Sequence, residues 1–590
     1  MSFLDGIVYM KGIPIIQHLK SYNLHTFRYD SLAGLTVAVI LIPQAMAYSL
    51  LAGLDPIYGL YGALFPLLIY PLFATSSHLS IGPVALMSII VLGGVSVFAE
   101  PGSEAYLNLV LMSALLAGII QVLFAVFKLG NLAKFLSKPV MSGFISAAGI
   151  IIAISQVKYL LTLEIPRRVS ILQMLSDIIE KLSNFNASSA LIGFTSIAII
   201  ILLKKVHKAI PGALIVVILG CLVTYFFQLN NKGVPILGEL PKGLPGFSLA
   251  FFDASTIIDL LPISIIIAII GFIGSYSISK SIGSRSDIVH VEPNKELLSL
   301  GLAKAVGSFF LAMPSTGSFT RSAINFEAGS KTPISNWVSF LILALTLQFL
   351  GFLFYYLPDP ILASIVITSV FSLIDISYAK RLFYLDKRDF LILIITCFST
   401  LFFGIVNGVI IGVLSSFMDV IWRSSKVKYA VLGRLPISNT FRNIQRFPEA
   451  EQLEGILIIR LSQTLYFANA PAVINVLEKE LSNRSNVNHV ILSLPTYGVP
   501  DSTATTYIFD LLDYCSHQDV HVFFTDITGP VRDYMDNNMI FEHLGENHFY
   551  LTIEDALEAI KQGINLKTES KKYSRQSNLK KTNPYSLRKD

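Results

Sequence analysis

Two short segments rich in glycine, serine and proline interrupt otherwise apolar stretches of the sequence. The first reads SIGPVA at residues 80–85, and the second reads PSTGSFTR at residues 314–321. Glycine lets a backbone approach a ligand closely, proline is tolerated in the first turn of a helix, and hydroxyl side chains cap helix N-termini. A helix that begins inside a bilayer leaves its first N–H groups without intrahelical partners, and an anion can satisfy them. The two segments therefore predict a pair of half-helices whose N-termini bind an anion.

Arg321 is an obvious cation within the second segment, about one helical turn beyond Gly317. An ionisable side chain inside a membrane segment is a functional hypothesis by default, because burying it is costly. We expect Arg321 to add positive potential to an anion bound near Gly82 and Gly317, without needing to touch that anion. A structural ion pair with Glu327 or Asp375 is the alternative.

Gln44 and Tyr48 lie one helical turn apart and share a face of the first apolar segment. An amide can donate to an oxyanion, and an aromatic ring can form an apolar wall. These two side chains are therefore further candidates for an anion site. The alternative is that Gln44 only hydrogen-bonds a neighbouring helix.

The elements that must position these side chains are apolar segments of bilayer-spanning length. The 590 residues are 53% hydrophobic and only 14% charged, which argues against a set of soluble domains. A spanning helix needs about 20 apolar residues, and about fourteen segments approach that length within residues 31–425. Regular segments lie near 31–53, 57–74, 105–127, 138–157, 186–203, 210–228, 258–280, 334–357, 360–376, 389–405 and 406–423. Less regular ones lie at 79–96, 314–328 and 296–312, the last of which contains Lys304.

The two glycine-rich segments recur at similar positions in two halves of the chain. Each follows a polar interruption of an apolar segment, Gln44 in the first half and Gly274 in the second, by roughly 40 residues. An odd number of spans in each half makes the halves antiparallel, which is the inverted-repeat plan of many secondary transporters. Matching interrupted segments then indicate a binding site at the bilayer midplane. Close helix packing by small residues is the alternative.

Basic residues in the short loops predict the orientation in the membrane. With a cytoplasmic N-terminus, every strongly basic short loop falls on the cytoplasmic side, so the net charge of +5 reflects topology rather than nucleic-acid binding. Residues 1–30 lack the features of a signal peptide, and we expect a cytoplasmic lead-in. The part that follows residue 425 is predicted to be cytoplasmic as well.

From about residue 437 to 563, short β-branched runs alternate with amphipathic helical patterns, which predicts a small α/β domain. This region contains no glycine-rich phosphate loop, metal cluster or catalytic triad, and the three cysteines are far apart. We therefore expect no enzymatic activity, cofactor or metal. Ser502 follows Asp501 at a predicted helix start, where it is either a phosphorylation site or part of an ordinary cap. Residues 564–590 predict a basic disordered tail that can touch anionic lipid headgroups.

Four motifs resemble the SulP/SLC26 family of sulfate permeases and anion transporters. They read IPQAMAY at 42–48, GPVA at 82–85, PNKEL at 293–297 and GSFTRSAIN at 317–325. The resemblance covers almost the whole chain and includes LYFANA at 465–470, which is similar to the start of that family's cytoplasmic STAS domain. It implies a polytopic α-helical membrane protein with a C-terminal α/β STAS domain at about 437–563. It also implies about fourteen spans as two inverted repeats of about seven, a core and a gate domain, elevator-like motion and frequent homodimers.

The resemblance also implies a set of site residues. We place the two repeats at about 31–228 and 258–423, and the anion between the third and tenth spans. The site residues carried over are Gln44 and Tyr48 in the first span, Val84 and Ala85 in the third, and Ser318, Thr320 and Arg321 in the tenth, beside Gly317.

Gly274 marks a departure from the family pattern. Many members have a glutamate in the middle of the eighth span, in a Gly-Phe-x-Glu context, and this chain has Gly274 at that position. A buried glutamate can carry a co-transported proton. Its absence therefore favours anion exchange or uncoupled anion movement over proton symport.

These observations predict a secondary transporter of small inorganic anions, with sulfate as the leading substrate, in the plasma or inner membrane. Helix N-termini recognise charge and size rather than chemistry, so bicarbonate or chloride transport on the same scaffold is an alternative. A third interpretation is an anion sensor that signals through the STAS domain to a cytoplasmic partner.

Overall fold

The computed structural model describes residues 14–563 except 132–136, 166–170, 207–210, 242, 284–290, 372–373, 437, 439, 485, 497 and 539. The predicted tail, 564–590, and the start of the N-terminal segment therefore lie outside the described residues. The chain divides into two compact units, of which the first ends at Ser416 and the second begins at Phe417.

The described part of the first unit is almost entirely helical. Its first half contains α1 (Pro14–Lys20), α2 (Leu24–Leu51), α3 (Pro56–Phe73), α4 (Ala85–Val95), α5 (Glu104–Val126), α6 (Lys138–Leu161), α7 (Ile171–Lys181), α8 (Ala187–Val206) and α9 (Gly212–Phe227). Its second half contains α10 (Ile257–Gly283), α11 (Pro293–Ser308), α12 (Phe319–Glu327), α13 (Ser335–Leu345), α14 (Asp359–Val370), α15 (Ile376–Leu385) and α16 (Lys387–Phe403). Helix α17 (Ile405–Ser425) begins in the first unit and ends in the second.

Length and composition make many of these helices suitable for a bilayer. Eight of the described helices are long and apolar enough to span a membrane, and α4, α9 and α14 are shorter apolar helices of 10–17 residues. Many apolar side chains are buried against one another, and other large apolar side chains are exposed on α8, α9, α16 and α17. The helical membrane fold is as expected, and the count of about fourteen spans stays a prediction.

The helices of the first unit pack in two groups. In one group, α11 packs against α3 and α5, α10 packs against α4 and α5, and α12 and α13 pack against α2. In the other group, α6 packs against α14 and α16, and α8 packs against α9 and α14. The long helix α2 contacts both groups, through α14 and α9. The first of these two groups is called the α2 group, and the second is called the α6 group.

Buried carboxylates connect the two halves of the chain within the α2 group. Glu296, in the first turn of α11, accepts a hydrogen bond from the backbone N–H of Thr75 at 2.8 Å. Asp30, on α2, accepts one from the backbone N–H of Lys331 at 2.7 Å. Both carboxylates are fully buried, and such charged acceptors give stronger hydrogen bonds than neutral ones. The glutamate of the PNKEL motif therefore has a structural role.

The second unit contains a six-stranded sheet with the order β4-β3-β5-β6-β7-β8. The strands are β3 (Tyr429–Arg434), β4 (Phe441–Asn443), β5 (Ile456–Leu461), β6 (His489–Ser493), β7 (His521–Thr525) and β8 (Phe549–Tyr550). Strands β5 to β8 are parallel, and β3 is antiparallel to both β4 and β5. The helices are α18 (Ala470–Ser482), α19 (Ser502–His517), α20 (Gly529–Asn537), α21 (Ile540–Leu544) and α22 (Ile553–Lys561). Apolar clusters on the two sheet faces bury α18 and α19 on one side and α22 on the other.

Candidate anion site

A two-stranded ribbon joins the two glycine-rich segments. Strand β1 (Ile81–Gly82) pairs antiparallel with β2 (Thr316–Gly317), in the register Ile81 with Gly317 and Gly82 with Thr316. The backbone N–H of Ser318 extends the ribbon by donating to the carbonyl of Ser80 at 3.0 Å. All four strand residues are buried. Two segments more than 200 residues apart in the sequence thus lie side by side, one from each half of the chain.

A helix begins directly after each strand of the ribbon. Val84 is the N-cap of α4 and supplies no side-chain hydrogen bond to it, so the first N–H groups of α4 lack a side-chain cap. Ser318 is the N-cap of α12, and its hydroxyl accepts from the backbone N–H of Arg321 at 3.4 Å. Pro83 lies just before the cap of α4, not in its first turn as expected. The two N-termini start from one short ribbon, and both direct partial positive charge to that region.

Arg321 lies in the first turn of α12 and is fully buried. Its Nη1 donates to Oε1 of Gln44 at 3.2 Å, while Nε and Nη2 have no hydrogen-bond partner among the described residues. The expected alternative of an ion pair with Glu327 or Asp375 is wrong, since no carboxylate of the described residues pairs with Arg321. A buried guanidinium with two donors unsatisfied is costly, and a bound anion would compensate that cost.

Gln44 and Tyr48 lie in the middle of α2 and are both buried. The amide oxygen of Gln44 accepts the hydrogen bond from Arg321, so the amide N–H groups of Gln44 are further donors. Tyr48 lies one turn further along α2, the helix that also contacts α14 of the α6 group. Gln44 therefore contacts Arg321 as a buried neighbour, and the part of Gln44 and Tyr48 in anion binding stays a prediction.

A set of hydroxyl groups behind β2 was not predicted as part of the site. Ser275 on α10 accepts a hydrogen bond from the backbone N–H of Gly317 at 2.9 Å and contacts the hydroxyl of Thr316 at 2.7 Å. The hydroxyl groups of Thr316 and Ser275 each lie within hydrogen-bond distance, 2.7 Å, of the carbonyl oxygen of Gly271. Ser275 follows directly after Gly274, so the polar interruption of this segment was the available signal. These bonds fix β2 against α10.

Ser318, Thr320 and Gly274 are less buried than the four residues of the ribbon. Thr320 and its neighbour Phe319 are exposed in the first turn of α12, and Ser318 is partly buried. A Cβ added at Gly274 would meet no atom within 4 Å. The position at which many family members carry a glutamate therefore faces an opening rather than a packed interface.

Ser502 lies in the second unit and has a different setting. Asp501 is the N-cap of α19, and its carboxylate accepts from the backbone N–H of Ala504 at 2.7 Å and from that of Phe467 at 2.8 Å. Ser502 is the exposed first residue of the helix. Asp501, not Ser502, is thus the cap, and phosphorylation of Ser502 stays a prediction.

The fold and the site define the class of protein: a helical membrane transporter in which two interrupted segments, one from each half of the chain, pair with each other. A family model described as "Sulfate permease family" matches residues 27–396, and one described as "STAS domain" matches residues 447–556. This chain belongs to the sulfate permease family.

Similar proteins agree with this assignment. "Probable sulfate transporter 4.2" of Arabidopsis thaliana is 35% identical over 99% of this chain and 89% of its own length. "Sulfate transporter 4.1, chloroplastic" of the same plant is also 35% identical, over 93% of this chain and 83% of its own length.

Solved structures share the fold. Murine Slc26a9, described as an anion transporter in the inward-facing state, superposes with a TM-score of 0.88 at 24% identity, covering 93% of this chain and 94% of that one. The transmembrane domain of a cyanobacterium bicarbonate transporter, BicA, superposes with a TM-score of 0.59 at 22% identity, covering 67% of this chain and 98% of that one.

Proposed function

We propose that this protein is a secondary transporter that carries sulfate across the membrane, bound between the N-termini of α4 and α12. The observation that carries the proposal is the buried guanidinium of Arg321, with two unsatisfied nitrogens, beside two helix N-termini that start from one ribbon. The names of the plant relatives support sulfate as the substrate.

The donors around this site suit a small oxyanion. The first N–H groups of α4 lack a side-chain cap, and in the first turn of α12 the N–H groups of Phe319 and Thr320 precede the one that Ser318 caps. Each helix N-terminus contributes roughly half a positive charge, and Arg321 adds a full one. Together these supply about two positive charges, which matches a dianion.

Transport would require the site to face each side of the membrane in turn. The ribbon, α4 and α12 all belong to the α2 group, and we propose that this group moves as an elevator against the α6 group. We further propose the plasma or inner membrane as the location, cytoplasmic N- and C-termini, and a homodimer whose STAS domain can bind a cytoplasmic partner. The positions of basic loops and the family resemblance support these points.

A counterflow experiment tests the function. Purified protein in liposomes preloaded with unlabelled sulfate should accumulate labelled external sulfate, and empty liposomes should not. Unlabelled sulfate should compete better than bicarbonate, chloride, nitrate or dicarboxylates. Stronger competition by bicarbonate or chloride would show that this anion, and not sulfate, is the substrate. Sulfate binding without any flux would favour an anion sensor over a transporter.

A further inference from the structure

Lys304 is a second buried cation near the anion site, and the proposed sulfate binding does not yet use it. It lies on α11 and is 2% exposed. Its Nζ donates to Oε1 of Gln121 on α5 at 3.0 Å, and Nε2 of Gln121 donates to the carbonyl of Ala268 on α10 at 2.7 Å. Its partner is thus a neutral amide, which cannot balance the charge of an ammonium group.

Lys304 is placed directly behind β2. A Cβ atom built on Gly271 of α10 would lie 3.8 Å from Nζ of Lys304 and 3.5 Å from the hydroxyl oxygen of Thr316. Arg321 approaches the other strand, with Nη2 at 3.2 Å from the corresponding point at Gly82. The two buried cations therefore lie near the two strands of one ribbon.

The helices that pack against α11 carry several other charged or titratable groups. Lys304 forms no ion pair within the described part of the chain. Glu296 on α11 is two turns away and is bonded to Thr75. Lys304 hydrogen-bonds Gln121, and not any of the other charged or titratable groups that the structure describes on α3, α5 and α10: Tyr58, Tyr61, Tyr70, Glu104, Tyr106, Asp259, Tyr276 and Lys280.

An ammonium in this position is stable only when a negative charge is near. A buried ammonium whose hydrogen-bond partner is a neutral amide is costly, and a dianion bound beside the ribbon would stabilise its charged form. A lysine, unlike an arginine, can release its proton when it is buried. Gly271 and Gly274 lie on one face of α10, and a Cβ built on Gly274 would meet no described atom within 4 Å, so this face has free space one turn from Gly271.

We propose that Lys304 is a proton-binding coupling residue, which takes up one proton as sulfate binds and releases it when sulfate leaves. This inference rests on the proposed sulfate transport. The step forms one N–H bond on the neutral amine with a proton from water on the entry side, and breaks that bond on the exit side. It replaces the expectation drawn from Gly274, because a proton can accompany sulfate without a carboxylate in the eighth span. Each cycle then moves one proton and one dianion in the same direction.

The test uses the full-length protein in liposomes that contain a pH-sensitive dye. Wild-type protein should show sulfate counterflow, and added external sulfate should drive proton influx at about one proton per sulfate. K304R keeps a positive charge but holds its proton, so it should retain counterflow within about tenfold and lose sulfate-dependent proton influx. K304Q should lose proton influx as well. K295R is the matched control on the same helix, because Lys295 pairs at 3.0 Å with the exposed Glu292, and it should behave as wild type.

The outcomes separate the two proposals. Absence of wild-type counterflow would overturn the transport function and this inference together. Counterflow without sulfate-dependent proton influx would overturn only the role of Lys304. Proton influx that persists at the wild-type ratio in K304R would also overturn it.

Discussion

Arg321 and Gln44 form a hydrogen bond of 3.2 Å that joins the first turn of α12 to the middle of α2. The two residues are 277 positions apart and belong to different halves of the chain. The amide oxygen accepts from one nitrogen of the guanidinium, while Nε and Nη2 have no acceptor in the part of the chain that the structure describes. The bond therefore orients the charge of Arg321 without neutralising it.

Replacing Arg321 by glutamine should weaken sulfate binding severely. The change removes a full buried charge, and losses of this kind cost about 2 kcal/mol or more, which is roughly 30-fold in affinity. The measurement is the sulfate concentration that gives half-maximal counterflow. Arg388→Gln is the control, since Arg388 is exposed at the start of α16. Equal half-maximal concentrations in the two variants would exclude Arg321 from the site.

The Gln44→Glu variant tests the same contact from the other side. A carboxylate at this position would pair with Arg321 and cancel its charge, so we expect sulfate affinity to fall by about tenfold or more. The protein should remain folded because the side chains have the same size. Binding measured by isothermal titration in detergent is the readout, and Gln228→Glu is an exposed control. Unchanged affinity in Gln44→Glu would show that the charge of Arg321 does not act on the anion.

Alanine substitutions at Gly317 and Gly274 should have opposite outcomes. A Cβ at Gly317 would stand 2.7 Å from the buried Leu79 and 3.1 Å from the hydroxyl of Ser275, whereas one at Gly274 meets nothing within 4 Å. Overpacking of this kind costs about 1–3 kcal/mol. We expect Gly317→Ala to lower both the melting temperature and the counterflow rate. Gly274→Ala should retain both, and a loss in Gly274→Ala equal to that in Gly317→Ala would contradict the geometry.

His548 should make the STAS sheet sensitive to acid. Its buried ring donates from Nδ1 to the carbonyl of Val522 at 2.7 Å, and burial holds its pKa below the usual 6.5. As the pH falls below 6.5, His548 binds a proton in the locally unfolded sheet before it does so in the folded sheet. The free energy of opening the sheet therefore decreases. Hydrogen exchange of β7 and β8, corrected for intrinsic rates, should therefore be faster at pH 5.5 than at pH 7.5. His548→Gln should reduce this difference, and the exposed His517→Gln should not; identical profiles in all three proteins would contradict the assignment.

Much of the site could be predicted because its chemistry is local in sequence. A helix start inside the bilayer needs glycine, proline and hydroxyl residues in a short run, and both runs are visible. The one-turn spacing of Gln44 and Tyr48 likewise follows from helix geometry. These features depend on neighbours within a few residues.

The features that sequence reasoning missed depend on pairing over long distances. The ribbon has only two residues in each strand, which is too short for any periodic pattern. Arg321 hydrogen-bonds a residue 277 positions away, and Lys304 hydrogen-bonds one 183 positions away. An arginine or lysine in the sequence does not reveal whether so distant a partner is an amide or a carboxylate. Only the packing of the helices brings these groups together.

The ribbon between β1 and β2 also bears on the direction of transport. It ties both helix starts into one unit, so the anion would keep the same ligands whichever side of the membrane the site faces. Equal ligands give equal intrinsic affinities on the two sides, and such a carrier has no built-in preference for import or export. The concentrations of the solutes and the membrane voltage would then set the direction, and the same molecule would fill or empty a compartment as those gradients change.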